Sequence, residues 1–223
     1  MKLLARSPQI GTTLELAERE EYYYPNNIGR ILLLALEDIL GRHGVNALLN
    51  LAQHPELVNN YPSSNLEYGV TFSQISDLHE ALDEMFGQRV GRAIAIHAGR
   101  QTFRRGLKVL GPILGISDLA LRALPLGIKI KIGLNVFAET MNKFSEQVVR
   151  LDEGRDHYYW IIERCPFCWN RHVETPSCHL AMGILLEAAE WVSNGRTFHI
   201  TQTHSIACGD SACTFEVRKQ PLS

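Results

Sequence analysis

The first 164 residues of this 223-residue chain contain no cysteine, and no apolar run in it is long enough to cross a bilayer. The longest candidates, 31–36 and 109–117, fall well short of the ~18–20 residues a span needs. Neither sign of charge dominates, with 22 Lys and Arg against 24 Asp and Glu. Together with the lack of a recognised nucleic-acid-binding motif, this argues against a nucleic-acid partner. The start, MKLLARSPQIG, has no signal-peptide apolar core, so a cytoplasmic address is expected. There is also no G-x-G-x-x-G after a strand and no Walker loop, so no nucleotide cofactor is in sight. Disorder is excluded by the 45% hydrophobic content, and collagen or coiled coil by the absence of any period.

What is present is unevenly placed. All five cysteines fall between Cys165 and Cys213. An odd number without a secretion signal argues against a disulfide framework. Cys165-Pro-Phe-Cys168 has the spacing with which two thiolates grip one tetrahedral metal from a turn. A redox pair shares that spacing, but here no helix follows directly. Free cysteines packed as small hydrophobes and an iron–sulfur centre are the other readings.

Along the chain, the first half reads as helical. In IGRILLLALEDILGRHGVNALLNLA, Ile28, Ile31, Leu32, Ala35, Leu36 and Ile39 recur three and four apart, and Gly41 and Gly44 predict a turn between two helices. Residues 56–74 read as loop. Further helices are expected from Ser76 or Asp77 to Phe86, over 90–107, and over 136–150, with an interrupted apolar segment at 109–135. In GRAIAIHAGRQTFRRGL, the small residues Ala93, Ala98 and Gly99 would let another helix approach closely.

Beyond Arg155 the pattern changes. HYYWIIER and CTFEVRK read as strands, 178–192 as a helix, and RTFHITQTHSIA as a strand with Phe198, Ile200 and Gln202 on one face. The expected fold class is α+β: a helical N-terminal half packed on a C-terminal antiparallel sheet of β-α-β-β order. Residues 1–26 form an extension, and 27–223 a single domain with a helical part at 27–150 and a core at 155–218. Length arithmetic brings the cysteines together. A 14-residue helix runs out ~21 Å and the next strand returns ~30 Å, so Cys178, Cys208 and Cys213 converge with the CPFC turn. The candidate metal ligands are therefore Cys165, Cys168, Cys178, Cys208, Cys213 and His204, with His172 and His179 in reach. The expected ion is a structural zinc.

Residues 155–217 resemble the 4-vinyl reductase domain family. CPFC, Cys178 with Gly183 a turn later, the alternating strand and the closing run Gly209-Asp210-Ser211-Ala212-Cys213-Thr214-Phe215 carry the resemblance. It implies an α/β plait like that of the trafficking-complex subunits that hold an acyl chain. It also implies one of three roles: an aromatic sensor, a hydrocarbon-binding protein, or a part in the vinyl-reduction step of bacteriochlorophyll synthesis. In the family's sensors a Glu and a Cys three residues later join the metal; Gln202 and Ser205 stand at those places here. That leaves Cys208, His204 and the CPFC pair to complete the set.

The expected function is binding of a hydrophobic small molecule, aromatic, acyl or tetrapyrrole-like, in a pocket among the helices. Candidate contacts are His97, Arg100, Phe103, Arg104, Phe72 and Phe86, with an arginine meeting any carboxylate. A 4-vinyl reductase and a dimeric scaffold with a protein partner are the alternatives. With no hydride source in the sequence, a non-catalytic role is favoured. Charge is also partitioned: 56–88 holds six acids and no Lys or Arg, while 89–131 holds nine bases and one acid. This suggests either two solvated faces or a basic surface for an anionic ligand.

Overall fold

A computed structural model describes residues 21–114 and 124–222. Residues 1–20 of the expected extension and 115–123 of the interrupted apolar segment lie outside the described residues. The chain enters through strand β1 (Tyr23–Pro25) and helix α1 (Asn26–Leu51), whose periodic stripe buries Ile31, Leu32, Ala35 and Leu36. Gly41 bends α1 with φ 68°, a left-handed value that glycine reaches without steric cost. The expected loop at 56–74 contains a strand, β2 (Tyr68–Thr71), paired antiparallel with β1. Helix α2 (Phe72–Leu114) follows at once and is broken at Gly87, whose φ of 73° is not helical, so the two helices expected here are its two halves.

Helix α3 (Leu126–Phe144) stops short of the expected end at 150. Ser145 is already extended, and Val148–Glu153 form strand β3. The β-branched pair Val148-Val149, together with cross-strand pairing, outweighs the helical spacing of Phe144 and Val148. The Asn142 amide completes this edge: its Nδ2 donates to the Val149 carbonyl and its Oδ1 accepts the Val149 N–H, both at 2.7 Å.

Then come β4 (His157–Arg164), α4 (His179–Val192), β5 (Phe198–His204) and β6 (Cys213–Pro221). The four-stranded sheet has the order β3-β4-β6-β5 and is antiparallel throughout. The β-α-β-β order expected from the sequence is thus present, with β3 added at the edge. Tyr158, Trp160 and Ile162 alternate into the core from β4, opposite Val217, Phe215 and Cys213 of β6. No helix among the described residues is long and apolar enough to cross a membrane.

Helices α2 and α4 touch backbone to backbone. A Cβ on Gly99 would lie 2.2 Å from the Leu180 carbonyl oxygen, and one on Gly183 2.1 Å from that of Ile96. The small-residue stretch around Gly99 therefore does admit another helix. Beside the crossing, Arg100 Nη1 donates to Glu187 (2.9 Å) and Glu190 (2.8 Å), and Arg104 grips the buried Glu187. Arg105 pairs with Asp38 of α1, and Lys131 with Glu153 of β3. Much of the basic segment's charge is thus met within the chain.

Gly99→Ala and Gly183→Ala are expected to destabilise the fold by at least the ~1–3 kcal/mol typical of overpacking, because backbone stands in the way. Gly106→Ala, whose Cβ meets nothing within 4 Å, should stabilise by up to ~1 kcal/mol. Urea denaturation of the three variants checks the contrast.

Candidate functional site

Two features stand out, and they share walls. The first is a group of four buried sulfurs. Cys165 and Cys168 lie on the turn after β4, Cys178 caps the N-terminus of α4, and Cys213 opens β6. Their Sγ atoms all lie within 4.8 Å of one another. Cys178 and Cys213 are 3.6 Å apart, and Cys213 and Cys168 3.5 Å. Thiolates held at about 2.3 Å by a tetrahedral ion stand about 3.8 Å apart, so the group is close to a metal site's dimensions. None is in a disulfide.

Donors surround the sulfurs. The Ile206 N–H donates to Cys213 Sγ (3.4 Å), and Gln202 Nε2 to Cys178 Sγ (3.2 Å). Ser205 Oγ is 3.5 Å from Cys168 Sγ and fully buried. Gln202 and Ser205 therefore sit beside the sulfurs as hydrogen-bonding neighbours. Burial pushes the Cys165 and Cys178 thiols up, while hydrogen bonds from the other three thiols hold Cys168 down. An ion here has protons to displace.

Cys208 and His204 are outside the group. Cys208 is exposed on the 3₁₀ turn Ile206–Cys208, which Gly209 closes with φ 95°. His204 ends β5 in solvent, its Nδ1 3.1 Å from Thr203 Oγ1. Length arithmetic placed both near the right end of the sheet, but it could not say which way a turn residue faces. His172 is exposed as well, and the ring of His179 stacks edge-on against that of His79 at 5.8 Å. The turn that carries Cys165 and Cys168 is clamped to α2 by Arg171, which the sequence reading passed over. Its Nη1 donates to the Phe167 carbonyl (3.1 Å) and to His79 Nδ1 (3.0 Å), and its Nη2 reaches Asp83 (3.3 Å). Burial, with Arg171 alongside, pushes His79 down to about 3, leaving a neutral ring that accepts from the arginine.

The second feature is a cavity of about 130 Å³ among the helices. Ile28, Ile31 and Leu32 of α1 line one side, and Phe103, Leu107 and Leu110 of α2 the next. Helix α3 adds Val136, Phe137 and Met141; α4 adds Ile184, Ala188 and Trp191. Tyr24 and Phe167 complete the wall, and its exposed surface is almost entirely carbon. The Phe103 ring meets Phe137 edge-on at 5.6 Å and Trp191 at 6.3 Å. Phe167, between the two cysteines of the turn, belongs to both features.

Of the six expected ligand contacts, the structure brings Phe103 to this cavity. Phe72 is fully buried elsewhere, against Tyr22, Tyr24 and Trp169, and Phe86 is half-buried against the core. Arg100 and Arg104 are held by Glu187. His97 is exposed: α2 buries Ala95, Ala98 and Gly99, and a residue two along from Ala95 emerges on the far side of a helix. None of the chain's nine histidines lines the cavity.

No family model matches the chain, and no curated protein sequence does. Solved H-NOX chains match its fold. A chain solved to probe heme distortion in the H-NOX family has a TM-score of 0.55 at 12% identity, over 89% of this chain and 97% of that one. An H-NOX protein from S. oneidensis in the Fe(II)NO state gives 0.54 at 12% identity, over 87% and 99%. Unliganded Fe(II) H-NOX from K. algicida gives 0.53 at 13% identity, over 87% and 95%. At these identities the likeness establishes the fold alone. It also corrects the family expectation: H-NOX domains match this architecture, and the resemblance to 4-vinyl reductase domains does not hold.

If the four buried sulfurs hold an ion, Cys208→Ser keeps one metal per chain, whereas Cys178→Ser and Cys213→Ser lose it. A strong chelator should lower Tm of the wild type by roughly 5–10 °C. Elemental analysis and a thermal melt check both.

Proposed function

We propose that this chain is a non-catalytic binding module that holds an apolar small molecule in the cavity bounded by α1, α2, α3 and α4. The four-cysteine group carries a structural zinc ion that stiffens one side of it. The observation that carries the reading is the wall itself: carbon from four helices lines a half-open space beside the packed rings of Phe103, Phe137 and Trp191. An unfilled apolar space forfeits dispersion contacts along its whole lining, so a fold that keeps one gains by filling it. Zinc suits the donor set because four buried thiolates form a closed tetrahedral site with no open position for chemistry.

The H-NOX neighbours include chains described with heme and with Fe(II)NO, so heme is the first ligand to consider. The residues lining this cavity do not suit it. Heme iron takes His, Cys, Tyr or a Met paired with His, and no His or Cys lines the cavity. The Tyr24 phenol donates to Gln147 Oε1 at 2.6 Å, and burial pushes its ionisation further up, so it makes no phenolate ligand. Met141 alone remains. The nearby cations Arg100 and Arg104 are already neutralised by Glu187 and Glu190. The aromatic and acyl classes fit better than the tetrapyrrole.

Thermal melts with toluene, octane and octanoate test the reading. At tenfold the Kd, a ligand of this cavity should raise Tm by roughly 3–6 °C. Ala188→Leu, which puts a larger side chain into the wall, should abolish the shift without loss of metal. No shift with any of the three would contradict it.

A further inference from the structure

We infer that the ligand of this cavity is an uncharged hydrocarbon of about benzene size, carrying no hydrogen-bonding group. This rests on the binding reading above and narrows it to a ligand class. Three observations carry it.

The first is size. A cavity of about 130 Å³ is close to an engineered one of about 150 Å³, lined by Leu, Ile and Phe, that stays dry and takes benzene or xenon. It is well below the roughly 300–1,000 Å³ of pockets that hold drug-sized molecules. A single ring or a short branched alkane fills a space of this volume.

The second is that the hydroxyl protons of the lining are spent internally. Thr102 Oγ1 donates to the Ala98 carbonyl (2.8 Å) and Thr140 Oγ1 to the Val136 carbonyl (2.7 Å), each one turn back on its own helix. Tyr24 donates to Gln147 Oε1 (2.6 Å). A ligand carbonyl or carboxylate would find none of these donors free. Moreover, the surface lining the cavity is almost entirely carbon.

The third is the treatment of charge next door. Glu187 stands one residue before the cavity-lining Ala188, yet its carboxylate turns out of the cavity to be held by two arginines of α2. Arg100 and Arg104, on either side of the lining Phe103, are consumed by this contact, and Arg105 is held by Asp38. Among the described residues that line the cavity, none carries a charge to meet a charged ligand group.

A wall that shows almost only carbon to the cavity discriminates against polarity by desolvation. Burying an unpaired hydroxyl costs about 1–3 kcal/mol, so phenol should bind roughly 5- to 150-fold more weakly than toluene of nearly the same shape. Benzoate, which would have to bury a carboxylate, should not bind measurably.

Isothermal titration of the full metal-loaded chain with toluene, phenol and benzoate decides it, with a parallel hemin titration followed in the Soret region. Expected are saturable toluene binding lost in Ala188→Leu, the stated deficit for phenol, no benzoate binding and no stoichiometric Soret band. Phenol or benzoate binding as tightly as toluene overturns the hydrocarbon assignment and leaves the cavity reading standing. Stoichiometric hemin uptake overturns the assignment too. If none of the four binds, the cavity reading fails and the assignment goes with it.

Discussion

Everything downstream in this molecule depends on how closely α2 and α4 approach. Side chains normally hold packed helices 8–10 Å apart. Here Gly99 and Gly183 remove theirs, so that a Cβ on either would collide with a carbonyl of the other helix. The contact fixes α4 in two ways. Its N-terminal end, with Cys178 as the cap, is set where the CPFC turn and the start of β6 arrive. Its middle and C-terminal end, with Ile184, Ala188 and Trp191, are set as one wall of the cavity. The ion pairs of Arg100 and Arg104 with Glu187 flank the same crossing.

The cysteine group and the cavity are neighbours for the same reason. Phe167 sits between Cys165 and Cys168 and also lines the cavity, while Arg171 pins the turn to α2 through His79 and Asp83. A metal at the sulfurs would add to the hold that Arg171, buried Phe167 and the packing of Trp169 on Tyr22 and Phe72 already have on this turn. With no disulfide among its five cysteines, this group is a place where a metal could cross-link β4, α4 and β6.

Much of this was legible in the sequence. Helical spacing located α1, the two halves of α2 and α4; aromatic and β-branched runs located β4, β5 and β6. The convergence of Cys165, Cys168, Cys178 and Cys213 followed from element lengths alone. Other features needed three dimensions. Strand β3 was hidden because Phe144 and Val148 are four apart, as on a helix, and only pairing with β4 selects the strand. Cys208 lies five residues from Cys213 and cannot be told from a ligand without the turn that points it outward. His97 stood out chemically inside an apolar run, but which face α2 buries is settled by Gly99, not by the histidine. The cavity was least legible of all: Ile28, Phe103, Phe137 and Ile184 each read as ordinary core, and nothing local marks the space they leave unfilled.

The central claim is that the space bounded by α1, α2, α3 and α4 is a dry, apolar ligand site. A crystal of the protein under xenon pressure examines it directly, since xenon has neither charge nor a hydrogen-bonding group. The account predicts one xenon atom in contact with Phe103, Phe137 and Ile184. Ordered waters hydrogen-bonded along the same wall, or side chains collapsed to fill it, would contradict it.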